Sequence, residues 1–353
     1  MSTTNFSSGG SHTKSFQELL CSPSLVSGLQ QQLSIFFVAV DIFLSITAFA
    51  GNSLILVALS KESPLHPPSK LLYRCLATID LLVGLFPQPL NALYWVSVFQ
   101  ENWSLCRYAF DATTTTAYVL LLVTLMTMTA ISVDRLLAVM LGLRYKQIVT
   151  LKRTYIILTT FWVFNLVASL SGFFHHPIIF LYSSLVTSFC LVISLASYAK
   201  IFCILRYHQA QVRDKQPASQ TNTLNMARFR KALDSALWVQ LALVVCYTPI
   251  CTVSIVIALT KKYSLLLFVT QKVTVILLYF NSTLNPFLYC WKISERTYII
   301  VITFWVFNLV ASLCGTFYRS ITYLYGYLVS PFCLLAFGFY VSSPLYASFS
   351  MSV

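Results

Sequence analysis

Long apolar runs separated by short polar breaks dominate the chain. Seven stand out, at 33–59, 71–98, 106–139, 154–173, 178–206, 232–260 and 264–291. Each has about 20 residues or more, enough helix to cross the roughly 30 Å hydrocarbon core of a bilayer. The pattern predicts an all-α membrane protein, a bundle of seven transmembrane helices over residues 33–291. A polar, Ser-rich segment, 1–32, precedes it and holds no cleavable signal-peptide core, so the first span is expected to act as its own insertion signal.

Composition sets the solvent. The 353 residues are 58% hydrophobic and 9% charged, where a soluble domain is about a quarter charged. Mean hydropathy is +0.76. The formal charge of +13 reflects topology. Basic residues crowd the breaks after the first span (Lys61, Lys70, Arg74), the third (Arg144, Lys146, Lys152, Arg153) and the fifth (Arg206, Arg213, Lys215, Arg228, Arg230, Lys231). Basic loops face the cytoplasm, which puts the amino terminus outside. With no basic soluble domain, a nucleic-acid partner is excluded. Lys261, Lys262 and Lys272 oppose the trend at the outer ends of the last two spans, as solvated rim residues or as attractors of an anionic ligand group.

Ionisable and polar residues inside a span are costly, and here they recur one set per span. Gly51-Asn52 lies in the first span, Leu76-Ala77-x-x-Asp80 in the second, Asp134-Arg135-Leu136 at the end of the third and Trp162 in the fourth. Pro249 lies in the sixth and Asn285-Pro286-x-x-Tyr289 in the seventh. In this order the chain resembles a rhodopsin-like (class A) G-protein-coupled receptor over residues 33–291. The resemblance implies a receptor that binds an extracellular ligand and activates heterotrimeric G proteins by outward movement of the sixth helix, in the plasma membrane.

The resemblance also implies roles for residues. Asp80 with Thr124, Asn281, Ser282 and Asn285 would form a hydrated pocket able to hold a sodium ion, with Asn52 tied to the same network; the alternative is a purely structural polar cluster. Apart from sodium no cofactor is expected. Arg135 would leave Asp134 on activation and meet the G protein, with Tyr198, Tyr247, Pro249, Asn285, Pro286 and Tyr289 completing the switch. A proline inside a helix removes a hydrogen bond and makes a hinge, which suits Pro249. Departures are visible. Leu136 stands for Tyr, and Tyr247 for the Trp expected two residues before Pro249. The acid that often locks the arginine from the sixth helix is missing, and Phe229, Arg230 and Lys231 occupy that stretch. Repulsion there is expected to weaken the resting state and permit ligand-independent signalling. The fifth span lacks its proline, as in the branch holding melanocortin, cannabinoid, lysophospholipid and adenosine receptors, and the short Gly172–Pro177 connection fits melanocortin receptors best.

Of ten cysteines, only Cys21 and Cys106 are clearly extracellular. The family's usual bridge from the third helix to the loop after the fourth lacks its second Cys, leaving a Cys21–Cys106 bond as the open alternative to free thiols. Asn5-Phe6-Ser7 is a glycosylation sequon; Asn102-Trp103-Ser104 is too near the membrane and Asn281-Ser282-Thr283 lies within a span.

The ligand is only bounded. Ala117 stands where amine receptors carry Asp, and Tyr279 where opsins carry the retinal lysine. Candidate pocket residues are Asn91, Asp111, Thr115, Tyr118, Tyr247, Lys272 and Tyr279, with Asp41 a further unpaired acid; each could equally be a rim or packing residue. A peptide or a lipid-like ligand fits.

Residues 153–191 reappear at 296–334 with 26 of 39 positions identical. This C-terminal segment, 292–353, predicts an extra helical hairpin copying the fourth span and the start of the fifth, a partial duplication or a fusion with a paralogue. It replaces the short cytoplasmic helix of the family. A non-signalling or decoy receptor is therefore the main alternative. A transporter is a weaker one, because the polar residues converge on one cluster rather than a path. An enzyme is not expected: no metal-spaced His/Cys/Glu set appears, and His175-His176 reads as a solvated pair.

Overall fold

Proline decides where the second span breaks. In the computed structural model, which describes residues 4–5, 21, 30–60, 66–172, 176–215, 241–257, 262–263 and 265–293, the expected single helix over 71–98 is two. Helix α1 is Gln30–Ser60, α2 Pro67–Leu85 and α3 Pro87–Phe99. Pro87 and Pro89 supply no amide N–H, so the ladder is interrupted and Phe86 turns between the helices. Hydropathy continues through this point, which is why the apolar pattern alone does not show it.

The third span, α4, is Trp103–Leu141. The side chain of Asn102 caps its start by accepting from the Leu105 amide at 3.1 Å. Its end is set by Gly142, at φ +51°, a left-handed conformation that costs glycine little. A short helix α5, Tyr145–Ile148, follows; α6 is Leu151–Gly172 and α7 is His176–Lys215. The sixth span is described over Leu241–Ile257, α8, and the seventh is α9, Leu265–Ile293.

The helices pack as one bundle centred on α4, which contacts α2, α3, α6 and α7, while α1 packs on α2, α3 and α9. Gly84 brings α1 and α2 together: a Cβ there would lie 3.0 Å from Phe49 N and Ser45 O. Ser45 Oγ uses the closeness to donate to Gly84 O at 2.7 Å. At the C-terminal end of α1, Arg74 Nη2 donates to the Leu59 carbonyl, one of the last four of the helix, at 3.0 Å. Among the described residues, five helices are long and apolar enough to cross a membrane. Exposed Ile, Leu, Val and Phe side chains line their outer faces, as lipid contact requires.

The structure departs from an all-helical reading in one small place. Thr4–Asn5 and Lys262–Tyr263 form a two-residue antiparallel pair, β1 and β2. The duplicate segment 296–334 and the basic stretch Phe229–Lys231 lie outside the described residues, as do Lys261 and the side chains of Asn5, Pro286 and Tyr289.

Candidate functional site

Two polar clusters and one charged latch lie along the bundle. The deepest surrounds Asp80, fully buried on α2. Its Oδ2 accepts from Asn285 Nδ2 at 2.6 Å and its Oδ1 from Thr124 Oγ1 at 3.4 Å, joining the second, third and seventh spans. Asn52 Nδ2 donates to Ala48 O at 2.8 Å and to Ser282 O at 3.0 Å. Within α9, the Ser282 carbonyl would take the amide of the residue four positions on, but that residue is Pro286 and has none. Asn52 satisfies the carbonyl that proline frees, which gives the residues at these two distant positions one physical reason. Asn281 Nδ2 reaches only the Met128 sulfur, at 3.5 Å. Among the described residues Asn281 Oδ1 is buried without a hydrogen-bond partner, and the Ser282 hydroxyl lies at the Asp80 carboxylate. One carboxylate with neutral hydroxyl and amide oxygens around it is a donor set that fits a hard monovalent cation. Among the described residues no group of three or more His, Cys, Asp or Glu could hold a metal.

Near the C-terminal end of α4, Asp134 is almost fully buried and Arg135 is 28% exposed, with Nη2 3.6 Å from Asp134 Oδ2. Asp134 is held more closely by neutral donors. Ser69 Oγ, in the first turn of α2, donates to Oδ2 at 2.9 Å, and the Tyr145 hydroxyl, on α5, donates to Oδ1. Burial first, and then the bond to Asp134, pushes the Tyr145 phenol up to about 12, so it remains a donor at neutral pH. The Arg135 guanidinium lies 5.6 Å from the Tyr73 ring centroid, and its Nε and Nη2 find no hydrogen-bond acceptor among the described residues. The arginine is thus loosely held beside a firmly held acid. Ser69, Tyr73 and Tyr145 were not anticipated from the sequence. The only local signal was a hydroxyl or phenol at a helix start, which many unrelated positions share.

Tyr247, beside Pro249 on α8, is buried and donates to Leu121 O of α4 at 3.0 Å, bridging the sixth and third spans. Tyr198 is buried on α7.

The outer pocket candidates do not form one set. Asn91, Lys272 and Tyr279 gather between the first, second and seventh spans. Tyr118 faces elsewhere, hydrogen-bonded with Ser183 of α7, and the Thr115 backbone carbonyl accepts from Ser169 of α6 at 3.4 Å. Asp111 stands on the outer part of α4, half-buried. Asp41, expected to be unpaired, is not: Oδ2 accepts from Asn91 Nδ2 at 2.7 Å. The correction follows from burial, since a fully enclosed carboxylate needs a donor. At the same end, Cys21 and Cys106 are joined by a disulfide with Cα atoms 5.9 Å apart.

The sequence is similar to those of known receptors. The family described as "7 transmembrane receptor (rhodopsin family)" matches residues 51–178 and 174–289. Melanocortin receptor 5 of Rattus norvegicus is 22% identical over 300 residues, covering 79% of this chain and 89% of that receptor. Adenosine receptor A3 of Ovis aries is 23% identical over 299 residues, covering 76% and 90%. Adenosine receptor A2b of Rattus norvegicus is 32% identical over 130 residues, and the matched part spans 36% of this chain and only 37% of that receptor. The matched family residues contain Asp80, Asp134-Arg135, Pro249 and Asn285-Pro286, so the polar cluster, the Asp134–Arg135 pair and the proline of α8 all fall within them: this chain belongs to the rhodopsin family of seven-transmembrane receptors.

Proposed function

We propose that the chain is a ligand-gated activator of heterotrimeric G proteins, and that activation frees Arg135 as α8 moves outward about Pro249. The observation that carries this reading is the latch. A buried Asp134 is fixed by Ser69 and Tyr145, while the adjacent arginine keeps unpartnered donors at the inner end of α4. Such an arginine is held by one weak ion pair and can exchange it for a new acceptor. Tyr247, bonded across to Leu121, ties α8 to α4 in this state.

Several observations support a plasma-membrane orientation with the amino terminus outside. Residues 4–5 pair with the turn before α9, and Cys21 is bonded to the start of α4, so both contacts fall at the end opposite the basic loops. Disulfides persist in oxidising compartments. The ligand is extracellular, peptide or lipid-like. A sodium ion held by Asp80, Thr124, Asn281 and Ser282 would stabilise the resting arrangement by neutralising the buried acid. The sequon at Asn5 would carry a glycan.

The test is nucleotide exchange on G proteins, with full-length and 1–295 versions, against a panel of peptides, lipids and nucleosides. The expected result is signal from at least one version, lost in Arg135→Ala. Absence of signal from both versions at normal surface density would make this a non-signalling receptor, the reading that the altered Tyr247 and the replaced cytoplasmic helix favour.

A further inference from the structure

Between α1, α3 and α9 lies a seam that the switch does not use. Asp41 is fully buried there, with Oδ2 bonded to Asn91 and Oδ1 without a hydrogen-bond partner among the described residues. Opposite it, the Lys272 ammonium sits among four aromatic rings, 4.3 Å from the Tyr94 centroid, 5.5 Å from Phe110 and Phe268, and 5.6 Å from Trp95. Aromatic faces attract the cation but accept none of its three N–H bonds in the way an oxygen would. Asp41 and Lys272 are close enough to interact electrostatically, yet no contact ion pair joins them among the described residues.

Other groups around them are equally unfinished. Among the described residues the Tyr94 hydroxyl, Trp95 Nε1 and Tyr279 hydroxyl are buried without hydrogen-bond partners, as are both amide atoms of Gln88, one turn along α3 from Asn91. A buried polar group left unpaired costs about 1–3 kcal/mol, so a concentration of them in one seam calls for an occupant.

We propose that this seam is a binding subsite for a zwitterionic group, with its ammonium at Asp41 Oδ1 and its carboxylate or phosphate at Lys272. Charge balance selects this class. The seam holds one buried acid and one buried base that make no contact ion pair with each other among the described residues. An anion alone, or a cation alone, would leave an unbalanced charge in a low-dielectric site, whereas a zwitterion completes both valences and adds no net charge. Both a free amino-acid-like ligand and a zwitterionic headgroup carry this chemistry. The inference rests on the receptor reading but is tested by equilibrium binding without G protein, so each can fail alone.

The experiment measures the unfolding midpoint of the purified full-length receptor in maltoside micelles. One arm adds ω-amino acids from glycine to 6-aminohexanoate, and the other adds lysophosphatidylethanolamine. Butylamine and butyrate serve as singly charged controls. A bound zwitterion at about 100 times its dissociation constant should raise the midpoint by roughly 3 °C or more. A response in the first arm assigns a free small ligand; a response in the second alone assigns a headgroup. Lys272→Gln and Asp41→Asn should each weaken the response at least 30-fold. The proposal is overturned if neither arm moves the wild-type midpoint, or if a singly charged control moves it as far. It is also overturned if the shift survives both substitutions. The wild-type comparison stands even where a variant does not fold.

Discussion

Replacing Asp134 by Asn isolates the charge of the latch from its shape. Asn keeps an oxygen to accept from Tyr145, and the Ser69 hydroxyl can reverse to accept from the new amide, so both contacts of the acid are preserved in kind. What disappears is the attraction for Arg135, whose Nη2 lies 3.6 Å away. With the guanidinium 28% exposed, solvent screens the pair. At an effective dielectric of about 40–80 the Coulomb energy at this distance is about 1–2 kcal/mol, in line with partly exposed ion pairs. A change of that size shifts the balance of resting and active forms about 5–30-fold. Basal nucleotide exchange, measured in membranes at matched surface density, should rise by that factor in Asp134→Asn and fall to background when Arg135→Ala is added. Unchanged or reduced basal exchange in Asp134→Asn would refute the claim that the acid restrains the arginine. Tyr145→Phe gives the complementary sign. It leaves Oδ1 of a buried carboxylate seeking a donor, and the nearest unused donors belong to Arg135, so basal exchange should drop below wild type.

Three further outcomes follow from particular contacts. Gly84→Ala places a methyl 3.0 Å from two backbone atoms of α1, so the helices must part; the expected loss is about 1–3 kcal/mol, read as a lower unfolding midpoint with the Ser45–Gly84 bond weakened. Cys106→Ser opens a link across 85 positions and should cost about 2–4 kcal/mol, and intact mass with and without reductant should show the bond in wild type but not in the variant. Replacing sodium by choline should lower the unfolding midpoint of wild type but leave Asp80→Asn unmoved; equal responses in both would dismiss the cation site.

The helices were legible because membrane burial writes itself into long apolar runs, and the single polar residues inside those runs marked the cluster around Asp80. Asp80 and Asn285 stand 205 positions apart and meet at 2.6 Å, a pairing for which the family motifs named the members. The interruption at Phe86–Pro87 was hidden because hydropathy does not register a missing amide, although proline chemistry does. Partners across helices were hidden for a different reason. Ser69, Tyr145 and Asp134 are ordinary residues at unremarkable spacings, and only the packing of α2 and α5 against α4 turns them into a latch. The same holds at the outer end. Asn91 and Asp41 were each visible as lone polar residues, but nothing along the chain sets the rotation of α1 against α3 that joins them. On α4, Tyr118 turns to Ser183 of α7, while Lys272 and Tyr279 of α9 lie towards α1 and α3. A single expected pocket thus becomes two faces of α4, and the buried charges fall on only one of them. A ligand entering the charged face need not touch Tyr247, and α9 carries Lys272 and Tyr279 on the same helix as Asn285 of the Asp80 cluster, so its signal is expected to travel along α9. Asn285→Ala should therefore uncouple zwitterion binding from nucleotide exchange while leaving the binding itself intact.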